Sequence, residues 1–317
     1  MKKKYRKRRF VSIIVIFILC MSASMWISVH NLKGILRDSY ENDSRVVAAL
    51  VCNAIENNFL RPITVSETIS KDSNTKELLD KSSKSAAIKA EAEAAKHLES
   101  IRDGFGYSMV FAVSDLSKAY YTCNGISKFV DPENDEHDIW YKLFVDSGKK
   151  YDLDVDTDEA ANWSLSVFVN TAVYGEDNEF VGVCGVGVDM TELQNLLERY
   201  ERIYDVKINL VDETGLIQVD TDIAKIEKDY ISIDNLEEFS DGEVYYEILD
   251  DGNRIITYME HLGWYLVIQN EKVLNKDIYK IIVPCVACLL AGIALLGIIL
   301  IYEQRLKIDD SDAKEKD

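Results

Sequence analysis

Two uncharged apolar runs, residues 10–29 and 281–302, bracket almost all of this 317-residue chain. Each has about the ~20 residues a helix needs to cross ~30 Å of hydrocarbon. The segment before the first run carries seven Lys/Arg and no acid. Basic flanks stay in the cytoplasm, so the N-terminus is expected inside. The second run returns the chain, with Arg305 and Lys307 directly behind it. The expected order is a basic cytoplasmic segment 1–9, a transmembrane helix 10–29, an extracytoplasmic region, a second transmembrane helix 281–302 and a short cytoplasmic tail 303–317. That tail is too short to bury a core of its own. A cleaved signal peptide is the alternative for the first run, because Ser22-Ala23-Ser24 loosely fits the cleavage pattern. Against it, the run continues through Met25, Trp26 and Ile27, and Leu19 before Cys20 is too large for a lipoprotein box. The expectation is an uncleaved anchor in the cell membrane.

Charge sharpens this. The formal net charge is −19, and residues 30–278 hold 24 Lys/Arg against 49 Asp/Glu. An outer region this acidic is no partner for nucleic acid or for an anionic lipid surface. Of six cysteines, Cys20, Cys285 and Cys288 lie within the apolar runs. Cys285-x-x-Cys288 at membrane depth reads as small apolar packing rather than a redox pair. Cys52, Cys123 and Cys184 remain outside, an odd number, so no full disulfide framework is available. A Cys52–Cys123 or Cys123–Cys184 bridge stays open.

The outer region begins helical. From 31 to 60 apolar residues recur at helical spacing, among them Leu32, Ile35, Leu36, Val47, Leu50, Val51 and Ile55. Pro62 is expected to close that helix. A second helical stretch covers Lys76–Leu79 and the Ala-rich residues 85–101, with Asp103-Gly104 as its stop. Five strands are then expected at 107–113, 118–123, 151–156, 163–173 and 180–188, with turns such as Asn124-Gly125 between them. A short helix at about 137–147 interrupts them. Residues 191–202 read as a linking helix. A smaller unit follows, with strands at 206–212, 215–220, 243–249, 253–260 and 264–269, and turns at Asp250-Asp251-Gly252 and His261-Leu262-Gly263. Its last strand leads through 271–277 into the second span.

This order of elements resembles the double Cache sensor ectodomains of bacterial chemoreceptors, sensor histidine kinases and diguanylate cyclases. The resemblance covers residues 30–278. Its most characteristic local match is Trp140-Tyr141 at the start of a short helix, then an acidic strand, then Gly182-Val-Cys-Gly-Val-Gly-Val-Asp189. It implies an α+β fold, a long N-terminal helix with two tandem PAS-like antiparallel-sheet modules flanked by two transmembrane helices. The expected parts are a helical stalk 30–103, a distal module 104–190, the linking helix 191–202 and a membrane-proximal module 203–270. It further implies a small ligand held in the distal module, between its sheet and the loops above.

Several residues are candidates for that ligand. Trp140 and Tyr141 offer flat faces with one polar tip, suited to an amphipathic metabolite or a cationic amine. Asp189 ends an apolar strand; in the resembling receptors an acid here meets the ligand's ammonium group, and a helix N-cap is the alternative role. Asp152, Asp154 and Asp156 alternate and share one strand face, with Asp154 and Asp156 as pocket candidates. Their run fails as a calcium loop, because the sixth position is Thr157 rather than Gly and the twelfth is Trp163 rather than Glu. Asn170 is polar within an apolar strand and needs a partner; Tyr121 is similar. Asp138 stands where amino-acid-binding members place a carboxylate-gripping arginine. A carboxylate there repels an α-carboxylate, so an amine or a neutral metabolite is favoured over an ordinary amino acid.

No catalytic motif is present: the four histidines are scattered, and no Gly-x-Ser-x-Gly, phosphate loop or His-Glu-x-x-His occurs. No enzymatic activity, metal or cofactor is expected. The functional expectation is a membrane-anchored sensor that transmits ligand binding through the second span. Its output domain is expected to be missing or supplied by a partner protein, with a homodimer through the N-terminal helix. The rivals are a truncated diguanylate cyclase or chemoreceptor, and an interaction domain that docks a protein or the cell wall without a small ligand.

Overall fold

The computed structural model describes residues 2–81, 83–158, 164–233, 236, 239, 243–249, 252–270 and 274–313. Trp163 at the expected start of a strand, the Asp250-Asp251 part of a turn, residues 271–273 and the last four residues lie outside that set. The chain divides into two compact units. One comprises residues 1–44, 248–253 and 271–317, the other residues 45–247 and 254–270.

The first helix, α1 (Lys2–Lys71), does not stop at Pro62 but carries it inside. An internal proline costs about 3 kcal/mol of helix propensity. Burial of Phe59, Ile63, Val65 and Ile69 on either side of it offsets that cost. The Ser66 hydroxyl also bonds Val169 O at 3.1 Å, which ties this turn to a strand. Helix α2 (Ser73–Leu79) is capped by Asp72, which accepts from Thr75 N–H at 3.0 Å. Helix α3 (Lys84–Phe105) runs past the expected Asp103-Gly104 stop. It ends at Gly106, whose φ of 78° only glycine adopts without strain and whose N–H returns to Arg102 O.

Six strands form the first and larger sheet: β1 (Met109–Ser114), β2 (Ala119–Thr122), β3 (Gly125–Phe129), β4 (Tyr151–Asp158), β5 (Ser164–Tyr174) and β6 (Phe180–Asp189). Their order is β3-β2-β1-β6-β5-β4, with antiparallel pairing. β3 is a correction to the five expected strands. Between β3 and β4, a single 3-10 turn over Glu136–Asp138 leads into α4 (Ile139–Ser147). Strand alternation sorts the side chains to two faces. Val110, Ala112, Tyr121, Val169, Cys184 and Val186 join the core that includes α1 and α3. Met109, Phe111, Phe168 and Val183 face α4 instead.

Helix α5 (Met190–Tyr204) joins this sheet to a second one, of β7 (Lys207–Val211), β8 (Ile217–Val219), β9 (Val244–Leu249), β10 (Gly252–Met259) and β11 (Trp264–Asn270). Its order is β8-β7-β11-β10-β9. Lys207 pairs with buried Asp220 at 2.7 Å and with Glu201 of α5 at 3.0 Å, fastening the linking helix to the smaller sheet. Helix α6 (Leu274–Ala313) follows. Both α1 and α6 contain stretches long and apolar enough to cross a membrane; in α6 residues 282–299 have a mean hydropathy of 2.8. A long N-terminal helix followed by two antiparallel sheets, with apolar helices at both ends, is the α+β architecture expected of tandem PAS-like modules. None of the six cysteines forms a disulfide.

Candidate functional site

A cleft opens between the six-stranded sheet and α4, with an empty volume of about 480 Å³, its mouth included. Its floor exists because β6 has no side chain at position 185. A Cβ there would stand 2.7 Å from the Phe111 ring and 2.1 Å from Val169 O. Phe111 therefore lies across the strand. Trp140 meets it edge to face at 6.2 Å, and Tyr120 and Phe168 do so at 5.5 and 6.0 Å. Four aromatic rings thus bound one small volume, an arrangement that suits an organic cation or a flat apolar body.

Polar groups enter from both edges of the sheet. Asn170 lies on β5, opposite Gly185 on β6, and its side chain lines the cleft. It is only 3 % exposed, and its amide makes no side-chain hydrogen bond among the described residues. What surface the amide keeps is therefore open to an occupant of the cleft. From β4, the outer strand on this side, come Asp154 and Asp156. Asp156 accepts from Thr157 N–H at 2.6 Å. Asp154 has no ion pair among the described residues. Burial pushes its carboxyl up to about 7; the nearby charges of Asp156, Glu227 and Asp152 add to the shift, and the Val155 N–H opposes it. At the opposite edge, Lys128 of β3 and His137 line the same cleft.

The eight candidates from the sequence are thus divided. Trp140, Asp154, Asp156 and Asn170 come together in the cleft. Tyr141 does not line it; its ring is buried and its hydroxyl donates to Asp115 at 2.9 Å. Burial first, then the Asp115 charge and hydrogen bond, push that phenol's pKa well up. Tyr121 pairs with Ala112 of β1, so alternation turns it to the opposite core. Burial raises its pKa too. Asp189 caps α5, accepting from Thr191 N–H at 2.7 Å. It borders a different depression, between α1 and the start of α5, with Arg61 and Tyr107. Asp138 is buried and does not line the cleft. It accepts from Asp131 N–H at 2.7 Å and pairs with Lys128 at 2.8 Å, so its carboxylate is engaged within the protein.

Phe111 and Tyr120 lie on expected strands, but which face of the sheet meets α4 is not written in the sequence. Lys128 was missed because the strand carrying it was missed. Asn124-Gly125, the strongest short hairpin signal, sits between Ala119–Thr122 and Gly125–Phe129 and marked it. In the smaller sheet the α4-equivalent face is filled by its own rings, with Phe239 stacked on Tyr245 at 4.0 Å and edge-on to Tyr265 at 6.4 Å.

No protein-family model matches the sequence. Solved structures do resemble the fold. The sensory domain of the Campylobacter jejuni chemoreceptor Tlp3 superposes with a TM-score of 0.53 at 15% identity, covering 78% of this chain and 97% of its own. The ligand-binding domain of the Pseudomonas fluorescens chemoreceptor CtaA, in complex with L-isoleucine, gives 0.52 at 16% identity over 78% of this chain and 98% of its own. That of the Pseudomonas aeruginosa chemoreceptor PctC, in complex with GABA, gives 0.53 at 16% identity over 73% and 99%. The structural neighbours are chemoreceptor sensory domains of double Cache type. At this identity the likeness establishes the fold.

Proposed function

We propose that this chain is a two-pass membrane sensor whose distal module binds a small, amine-like molecule in the cleft between its sheet and α4. One observation carries this reading: Asn170, only 3 % exposed, lines an aromatic cleft and its amide makes no side-chain hydrogen bond among the described residues. Asp154 and Asp156 on the next strand supply negative charge beside it. The small-molecule complexes of CtaA and PctC, which share the fold, agree with a ligand here. Residues 10–29 and 281–302 would anchor the chain with both ends inside and residues 30–280 outside, following the basic N-terminus. Binding would shift the smaller module and, through β11, the helix that follows it. A ligand moves such an equilibrium only by its differential affinity for the two states. Exposed Val46, Leu50 and Leu60 on α1 support a homodimer through that helix.

The test is thermal stability of the full chain in nanodiscs against a panel of small amines and neutral metabolites. A ligand at 100-fold excess over its Kd adds about 2.7 kcal/mol. The reading expects a shift that Asn170→Leu removes. A panel without any stabilising compound leaves the interaction-domain reading in its place.

A further inference from the structure

The cleft is charged at both edges, yet only one of those charges stands unopposed. Lys128 comes from β3 and Asp154 from β4, the two outermost strands of the six-stranded sheet, and both side chains line the same cleft. The Lys128 ammonium, 21 % exposed, is held 2.8 Å from Asp138 Oδ1, and Asp138 is only 1 % exposed. The second carboxylate oxygen, Oδ2, is taken by Asp131 N–H at 2.7 Å. Among the described residues no hydrogen bond reaches Oδ1, so the ammonium is its neutraliser. A buried carboxylate requires such a partner, and a buried ammonium equally so. The 3-10 turn fixes the geometry: Asp135 caps it and Asp138 ends it, directly before α4 sets Trp140 over the cleft.

We infer that Asp138 is a specificity-determining residue of the cleft: by neutralising Lys128 it leaves Asp154 and Asp156 to set the local charge, so the site takes organic cations and turns away carboxylates. This rests on the proposed binding role of the cleft and names the ligand class. Asp138 acts through Lys128, without touching the ligand. The aromatic rings then face a volume whose fixed charge is negative on the β4 side and cancelled on the β3 side. A ligand carboxylate finds a lysine already satisfied. An ammonium finds two acids, one of them without an ion pair among the described residues, and the Trp140 ring.

The experiment is calorimetric titration of the full chain in nanodiscs with propylamine, choline and propionate. Asp138→Asn keeps the shape and an oxygen for Asp131 N–H but drops the charge. The wild type is expected to bind at least one cation and no propionate. Asp138→Asn should weaken that cation about tenfold or more and gain propionate binding, since one unpaired charge a few ångströms away is worth at least that much. Removing both partners, in Lys128→Met with Asp138→Leu, should restore cation binding to within about threefold and abolish propionate binding. That double variant also serves if the single one does not fold, because no charge is left unpaired. Charge preference unchanged in folded Asp138→Asn, or cation binding lost in the folded double variant, overturns the inference and leaves the cleft reading intact. A wild type that binds neither cation nor propionate while other compounds stabilise it also removes only the inference. If nothing at all binds, both fall.

Discussion

The Tyr141 hydroxyl donates to Asp115 Oδ1 at 2.9 Å and thereby fastens α4 to the turn between β1 and β2. Lys118 completes the contact, 2.6 Å from the same carboxylate oxygen and 5.1 Å above the Tyr141 ring. The helix that roofs the cleft is therefore held from outside the cleft. Tyr141→Phe should lower stability by about 1.5–3 kcal/mol, the range for a hydrogen bond to a charged group. Chemical denaturation measures it. A change below about 0.5 kcal/mol would mean the bond does not hold the helix.

Asp154 makes stability depend on pH. Its folded value of about 7 lies above the ordinary ~3.9 of an unfolded aspartate. For an acid raised in this way the folded state binds the proton more tightly. The contribution is full below about pH 4 and is lost as pH rises through 7. The groups facing it are Asp152 and Asp156 on its own strand and Glu227 of the smaller module, with Lys128 and His137 lining the same cleft. Between pH 4 and 8, the Tm of the wild type should fall relative to that of Asp154→Asn. Parallel profiles would contradict the assignment. Affinity for a cationic ligand should rise over pH 6–8, because only the ionised carboxylate attracts it, and Asp154→Asn should flatten that rise.

Gly185 tests the cleft floor. Alanine there would force its Cβ to within 2.7 Å of Phe111 and 2.1 Å of Val169 O. Backbone cannot yield as a flexible side chain does, so Gly185→Ala should cost at least about 1–3 kcal/mol. A variant as stable as the wild type would mean the ring does not lie across β6.

Asp189 separates capping from binding. Asp189→Ala should cost about 1 kcal/mol, the worth of a lost N-cap, and leave ligand affinity unchanged. Loss of binding in the folded variant would move the site toward the start of α5.

How the sequence encoded these features differs residue by residue. Alternation along 151–158 placed Asp154 and Asp156 on one face, because a strand has only two faces to offer. The same rule separates Tyr120 from Tyr121 on β2, but which of the two faces α4 is decided by how the sheet is covered, which sequence does not state. Pro62 misled for another reason: its local penalty is smaller than the burial of Phe59, Ile63 and Ile69 that keeps α1 continuous. Asp138 was legible as an acid in an unusual place. Its partner Lys128 was not, since seven residues of hairpin exit and 3-10 turn lie between 130 and 138 and only the folded chain closes them. Asn170 is legible in the sequence, because a polar residue in Val167-Phe-Val-Asn-Thr must satisfy its amide somewhere.

Isothermal titration of the full chain with a stabilising amine, comparing the wild type with Trp140→Ala, tests the central claim most directly. Trp140 is only half-buried and roofs the cleft beside Phe111 and Tyr120. The account predicts saturable binding to one site per chain in the wild type, and a loss of at least about tenfold in affinity in a Trp140→Ala protein that remains folded. Undiminished affinity in that variant would contradict it and place the ligand elsewhere.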